Sequence, residues 1–272
     1  MDRFDAGLPN QCVEVSTSTC SKVEMPSRTR SKATIRSVRM PDRTHQPVVF
    51  LDFDGTISRV DVVDAILDRY ADPEWLRVEQ DWKAGKIGSR ACLAEQMALV
   101  LAPRADLDAL LATIEIDPGF VPLLEACDAA GIRAHIVSDG FDYCIARILA
   151  QLPDRFQTLL DGVTVCASHL EPAAGSRWRA GFHFMDTLCA HGCATCKPAV
   201  MDALNRAGAP AIFVGDGLSD RYAAAAADVV FAKDTLAGHC AAQGISFFRY
   251  ETLADVAAYV STGIVRERHE YR

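Results

Sequence analysis

The chain has 272 residues, half of them hydrophobic and 24% charged, with a formal net charge of −8 and a pI near 5.4. That acidic balance excludes general binding to nucleic acid or to an anionic membrane surface. No apolar run reaches the roughly 18 residues needed to cross a bilayer, so a soluble, cytoplasmic protein is expected, with one large domain or a domain carrying an insertion.

Residues 1–45 are rich in Ser, Thr and Arg and show no hydrophobic periodicity, which predicts a disordered N-terminal tail. The Arg/Ser content leaves a transit peptide open, and Met40 is an alternative start. No basic, apolar leader precedes the ten cysteines, so reduced thiols are expected. Most of them, Cys92, Cys127, Cys144, Cys166 and Cys240, sit singly in apolar segments as small hydrophobes.

From Val48 the pattern alternates. "VVFLDF" is a strand-length apolar run, as expected for a parallel strand covered on both faces. Four helical segments follow without a strand signal: "VDVVDAILDRYA", "PEWLRVEQDWKAG", "SRACLAEQMALVLA" and "ADLDALLATI". Alternation resumes with the helix "FVPLLEACDAAG", the strand "IRAHIVSDG", the helix "FDYCIARILAQL" and the strand "LDGVTVCAS". After an irregular stretch come helix "KPAVMDALNRAG", strand "AIFVGDG", helix "DRYAAAAA", strand "DVVFAK", helix "TLAGHCAAQG", strand "ISFFRY" and helix "TLADVAAYVS". The fold class is therefore α/β, a Rossmann-like parallel sheet with a small helical cap inserted after its first strand. The core spans 46–58 and 117–272, and the cap spans 59–116.

In such a sheet, ligands bind beyond the carboxyl ends of the strands. Three strands end there in polar clusters: Asp52-Phe53-Asp54-Gly55-Thr56, Ser138-Asp139-Gly140, and Gly215-Asp216-Gly217 with Asp220 four residues after Asp216. Lys197 opens a helix on the same rim. Two carboxylates about 5 Å apart repel by roughly 3 kcal/mol at an effective dielectric of about 20. Four of them call for a cation, and an all-oxygen ligand set suits Mg²⁺. Metal, lysine and helix N-terminal N–H donors together describe a phosphoryl site.

This ordered set resembles the haloacid dehalogenase superfamily over Val48 to about Val260, and the helical insert looks like the cap of its phosphoserine-phosphatase-like branch. The resemblance implies an aspartyl-phosphate phosphatase. Asp52 would be the nucleophile and Asp54 the acid/base. Asp52, the backbone carbonyl of Asp54, and Asp216 would hold Mg²⁺, with Asp220 nearby or acting through water. Ser138 and Lys197 would grip the phosphoryl oxygens. Beside them, Asp139 and Gly140 are candidate substrate contacts, with a helix cap as the alternative for Asp139, and Arg59 is a further candidate from its place after the nucleophile loop. The second aspartate, Asp54, points to phosphoryl transfer rather than carbon–halogen cleavage.

Finer stretches, "DFDGTISRVDVVDAILDRYADPEW", "CATCKP" and "GDGLSDRYAAAAADVVFAKDTLAGHC", resemble the 2-hydroxy-3-keto-5-methylthiopentenyl-1-phosphate phosphatases of methionine salvage. Phosphoserine, phosphoethanolamine and phosphocholine phosphatases are the alternatives, and "SDGFD" departs from the "SGG" usual in phosphoserine phosphatases and in the salvage enzymes alike. A phospho-ligand binding module on the same fold is the non-enzymatic alternative, against which an intact Asp54 argues. The expected partner is a small phosphorylated metabolite.

Arg59, Asp61 and Asp64 follow the nucleophile loop and are candidates to face the leaving group. Trp75, Trp82 and Met97 are expected in the cap core. Cys189, Cys193 and Cys196 have metal-ligand spacing, with His191 or His183 within reach as a fourth ligand. A structural Zn²⁺ clip, reduced thiols and a redox pair are all compatible with that run.

Overall fold

Four consecutive apolar residues make β1 (Val48–Leu51), which is buried along its whole length. Alternate side chains leave it on opposite faces. Val49 and Leu51 join the larger apolar cluster on one side of the sheet, and Val48 and Phe50 join a smaller one on the other. This computed structural model describes residues 46–186 and 189–262. The expected tail and the alternative start at Met40 lie outside the described residues.

β1 is central in a seven-stranded sheet of order β4-β3-β2-β1-β5-β6-β7. The other strands are β2 (Arg133–Phe141), β3 (Thr164–Pro172), β4 (Trp178–Gly181), β5 (Ala211–Gly215), β6 (Val229–Ala232) and β7 (Phe248–Arg249). All pairings are parallel except β3 with β4. β1 pairs with β2 on one side and β5 on the other, Leu51 lying level with Ile136 and Val214. The chain order reverses at this strand, so a crevice opens beyond its carboxyl end.

The chain leaves the sheet after β1 and returns at an antiparallel bridge between Ser58 and Ile116. Arg59 N–H donates to Glu115 O at 3.0 Å, and Asp117 N–H donates to Ile57 O at 2.7 Å. Between these ties lie α1 (Val62–Tyr70), α2 (Trp75–Lys83), α3 (Ser89–Ala98) and α4 (Arg104–Leu111). Asp61 caps α1 by accepting from Asp64 N–H at 2.9 Å. Ile66, Leu67, Val78, Met97, Leu107 and Leu111 bury the inner faces of the four helices.

α5 (Phe120–Ala130) packs on α11 (Leu253–Thr262). The buried carboxylate of Asp117 starts both, accepting from Gly119 N–H at 2.8 Å and from Leu253 N–H at 3.0 Å. The remaining helices are α6 (Asp142–Leu149), α7 (Gln157–Asp161), α8 (Lys197–Leu204), α9 (Arg221–Ala226) and α10 (Asp234–Gln243).

Three features depart from the sequence expectation. The stretch read as irregular contains β4, which folds back on β3. Its Trp178 donates to Ala102 O at 2.9 Å and so braces the helical insert against the sheet. α3 ends at Ala98 rather than at Ala102, because Val100 bridges to Ala71. β2 does not stop at a Ser-Asp-Gly turn. It continues to Phe141 with a register shift between Val137 and Phe141, which re-aims the intervening residues.

Candidate active site

Asp52 follows β1, Ser138 lies in the bulged end of β2, and Asp216 follows β5. Neighbouring strand ends therefore deliver all three to one crevice. Lys197, the first residue of α8, enters from below with 2% of its side chain exposed. Its Nζ lies 2.8 Å from Asp52 Oδ1 and 2.5 Å from Asp220 Oδ1. The other oxygen of Asp220 accepts from Asp216 N–H at 3.0 Å and from Gly217 N–H at 3.1 Å. Asp220 thus holds both the lysine and the turn that carries Asp216.

Thr56 donates to Asp216 Oδ1 at 2.7 Å. Gly55, at φ +71°, lets the loop pass: a Cβ there would lie 2.4 Å from Asp216 Oδ2. Asp54 turns away from this group. Its Oδ1 accepts from Val62 N–H at 3.1 Å and its Oδ2 from Ser138 Oγ at 3.3 Å. Ser138 Oγ in turn accepts from Gly140 N–H at 2.9 Å.

The electrostatics show a shortage of positive charge. Burial, and then the charge of Asp220, raise the Asp52 carboxyl well above the usual range against the pull of Lys197. Burial and Asp61 push Asp54 up to about 8. Burial and Asp220 push Asp216 up to about 7. Burial works to lower Lys197, but Asp220, Asp52 and Asp139 outweigh it and hold the ammonium charged. One buried lysine does not neutralise four carboxylates.

Among the described residues, one group brings carboxylate oxygens together closely enough for a metal ion: Asp52, Asp216 and Asp220, all within 4.8 Å of one another. Three hard oxygen donors with surplus negative charge fit Mg²⁺. Asp220 is already saturated by Lys197 and two N–H groups, which leaves Asp52 and Asp216 as the freer donors.

The crevice continues beneath the insert as a pocket of about 360 Å³. Its floor holds Asp52, Asp54, Ser138, Asp139, Gly140 and Asp216, and its insert wall includes Asp61, Asp64, Glu79, Trp82 and Lys83. Asp139 is half-buried, accepting from Thr195 N–H at 3.1 Å. Asp61 and Asp64 face the pocket as expected.

Arg59 does not. It lies outside the pocket wall, with its guanidinium 2.9 Å from Glu115 Oε2 and 61% exposed. The strand-like tie between Arg59 and Glu115 directs it outward, away from where a substrate in the pocket would sit.

Trp75 and Met97 are buried in the insert, but Trp82 lines the pocket. Glu79 and Lys83, which the sequence reading missed, pair at 3.0 Å on the same wall. Their i, i+4 spacing around Trp82 was the available signal, since it puts all three on one helix face.

The zinc expectation is not supported. His191 stacks on Tyr222, with ring centroids 3.9 Å apart, so its ring is engaged elsewhere. Cys189 and Cys193 approach to 3.6 Å, yet the three sulfurs do not form a metal-ligand group among the described residues.

A family model for haloacid dehalogenase-like hydrolases matches residues 49–225. The chain belongs to that family. Two curated relatives of this haloacid dehalogenase-like hydrolase are named 2-hydroxy-3-keto-5-methylthiopentenyl-1-phosphate phosphatase. The one from Bacillus pumilus (strain SAFR-032) is 28% identical over 215 residues, covering 78% of this chain and 90% of that relative. The one from Geobacillus thermodenitrificans (strain NG80-2) is 29% identical over 217 residues, covering 79% and 96%. Among solved structures, a substrate-bound phosphoserine phosphatase complex superposes with a TM-score of 0.55 at 18% identity, over 72% of this chain and 91% of that one. At that identity the likeness speaks for the fold.

Proposed function

We propose that the chain is a Mg²⁺-dependent phosphatase of a small phosphorylated metabolite, acting through an aspartyl-phosphate. The observation that carries this reading is the buried Lys197 held against Asp52 and Asp220, beside a second pair, Asp54 and Ser138, that lies off the metal group. Mg²⁺, held by Asp52 and Asp216, would neutralise the phosphoryl oxygens and the nucleophile.

Asp52 attacks phosphorus with a carboxylate oxygen, and the bond to the leaving oxygen breaks. Asp54 gives its proton to that oxygen, which departs as an alcohol. The carboxyl of Asp54 sits high enough to carry this proton near neutral pH. In the second half, Asp54 takes a proton from a water molecule that attacks phosphorus, releasing phosphate and regenerating Asp52. Lys197 and Ser138 hold the transferring oxygens, and Gly140 N–H fixes the serine.

For the substrate, the relatives' names and the apolar part of the wall, Val63, Trp82 and Leu93, support 2-hydroxy-3-keto-5-methylthiopentenyl-1-phosphate. A second reading draws on Asp61, Asp64 and Glu79, three carboxylates against Lys83 alone on that wall. Burial, Asp61 and Glu79 push Asp64 up to about 7. Such a wall favours a leaving group that carries an ammonium, as in phosphoserine or phosphoethanolamine.

The test is hydrolysis of p-nitrophenyl phosphate with Mg²⁺, comparing the wild type with Asp52→Asn, followed by a panel of phosphorylated metabolites. Turnover that ignores Mg²⁺ or survives Asp52→Asn would overturn the mechanism. The panel decides between the methylthio and the ammonium substrates.

A further inference from the structure

The segment from Cys189 to Cys196 joins the insert to the core. Gly192 O accepts from Arg90 N–H at 3.1 Å, and Ala194 N–H donates to Ser89 Oγ at 3.0 Å, both at the start of α3. The approach is tight enough that a Cβ on Gly88 would lie 2.4 Å from Gly192 O. On the core side, Thr195 N–H holds Asp139 Oδ1, and Lys197 follows two residues later. This strap is therefore bonded at once to the pocket floor and to the helical wall.

Within it, Cys189 Sγ and Cys193 Sγ are 3.6 Å apart, and both side chains are half-buried. Burial acts to raise the thiol of Cys189. The N–H groups of Cys193 and His191 and the thiols of Cys193 and Cys196 aim at its sulfur and outweigh that, favouring the thiolate. Burial pushes Cys193 up to about 12 and Cys196 up to about 11. One sulfur is prepared as a nucleophile and its neighbours as proton-bearing partners. The sulfurs need to close by only about 1.5 Å to reach bonding distance. Cys92, Cys127, Cys144, Cys166 and Cys240 are each buried and offer an internal contrast.

We propose that Cys189 and Cys193 form an oxidisable dithiol site, and that its closure to a disulfide loosens the strap between insert and core. The oxidant is hydrogen peroxide. The Cys189 thiolate attacks one peroxide oxygen, the O–O bond breaks, and hydroxide leaves, giving a sulfenic acid. The sulfur of Cys193 then displaces that oxygen to make the S–S bond. Its thiol proton leaves with the hydroxide as water. Two electrons pass from the pair of thiols to the peroxide. Drawing Cys193 toward Cys189 pulls on Gly192 and Ala194, the two residues bonded to α3.

The test uses the full chain treated with hydrogen peroxide, alkylated under denaturing conditions and mapped by mass spectrometry. The expected product is a peptide with Cys189 and Cys193 cross-linked, about 2 Da lighter than its reduced form and restored by dithiothreitol. Cys92, Cys127, Cys144, Cys166 and Cys240 should remain alkylatable. Cys189→Ser should abolish the link, and Cys196→Ser should leave it in place.

Absence of the link, a cross-link from Cys189 to Cys196 in its place, or a stoichiometric zinc ion retained through purification would each overturn the site. Amide exchange at Arg90 and Ala194 should quicken in the oxidised protein, and unchanged exchange would overturn the loosening. Neither readout requires the chain to be a phosphatase, so failure here is separable from failure of that reading.

Discussion

Lys197 Nζ lies 2.8 Å from Asp52 Oδ1, with 2% and 6% of the two side chains exposed. Removing one member of a buried ion pair leaves its partner uncompensated, at a cost of roughly 3–5 kcal/mol. Lys197→Met should therefore destabilise the metal-free protein by about that amount at pH 8, because Asp220 loses its partner as well. Adding Asp52→Asn to Lys197→Met should recover part of the loss. Urea unfolding of the two single variants and the double variant measures the coupling. Strictly additive losses would mean that the two side chains do not act as a pair.

The carboxylates also set a pH dependence. Asp54 and Asp216 are pushed up to about 8 and about 7 by burial, with Asp61 adding for the first and Asp220 for the second. The folded chain keeps protons that the unfolded chain releases near pH 4. The stability they contribute is thus full below about pH 4 and lost as pH rises through 7 to 8. In a chelator, the melting temperature should fall over that range. Mg²⁺ should restore the part due to Asp216, and more at pH 8 than at pH 6, since the ion competes with that proton. A Mg²⁺ shift that does not vary with pH would count against binding at Asp216.

Much of this was legible in the residues. The strand run "VVFL" ending in Asp52, and Gly-Asp after a second such run, locate the crevice, because parallel strands deliver their carboxyl ends to one edge. The four helices of the insert followed from their periodicity. What escaped the sequence depends on tertiary pairing. β4 is four residues beside an antiparallel neighbour, and its burial comes from Trp178 reaching Ala102 of the insert. Arg59 sits beside the nucleophile loop in sequence, yet a bridge to Ile116 turns that segment outward. Trp82 read as an insert core residue because periodicity does not tell a pocket from a core.

Gly140 offers a test of the proton-transfer geometry without touching the proposed metal group. A Cβ at this position would lie 2.1 Å from Asp54 Oδ2 and 3.1 Å from Ser138 Oγ. Gly140→Ala should displace the Asp54 carboxylate and break its contact with Ser138. Turnover of p-nitrophenyl phosphate should drop by about 100-fold or more, the usual size of a general acid–base contribution. The Mg²⁺-induced rise in melting temperature should stay close to that of the wild type. Loss of the Mg²⁺ effect together with turnover would mean that the variant disturbs Asp216 as well.

His135 on β2 is 5% exposed, and neither of its ring nitrogens has a hydrogen-bond partner among the described residues. Its ring sits beside Phe50, with centroids 5.6 Å apart. Burial, helped by the charge of Arg133, lowers its pKa to about 4. The folded chain therefore holds this imidazole neutral while the unfolded chain protonates it. The stability linked to it is full above about pH 6.5 and falls as pH drops toward 4. His135→Leu removes two polar atoms from an apolar layer and should raise stability by about 1–2 kcal/mol at pH 7. At pH 5 the gain should be larger still, because the variant has no proton to take up on unfolding. Urea midpoints of the two proteins at both pH values measure this. A gain that is equal at the two values would show that the ring is not held neutral by burial.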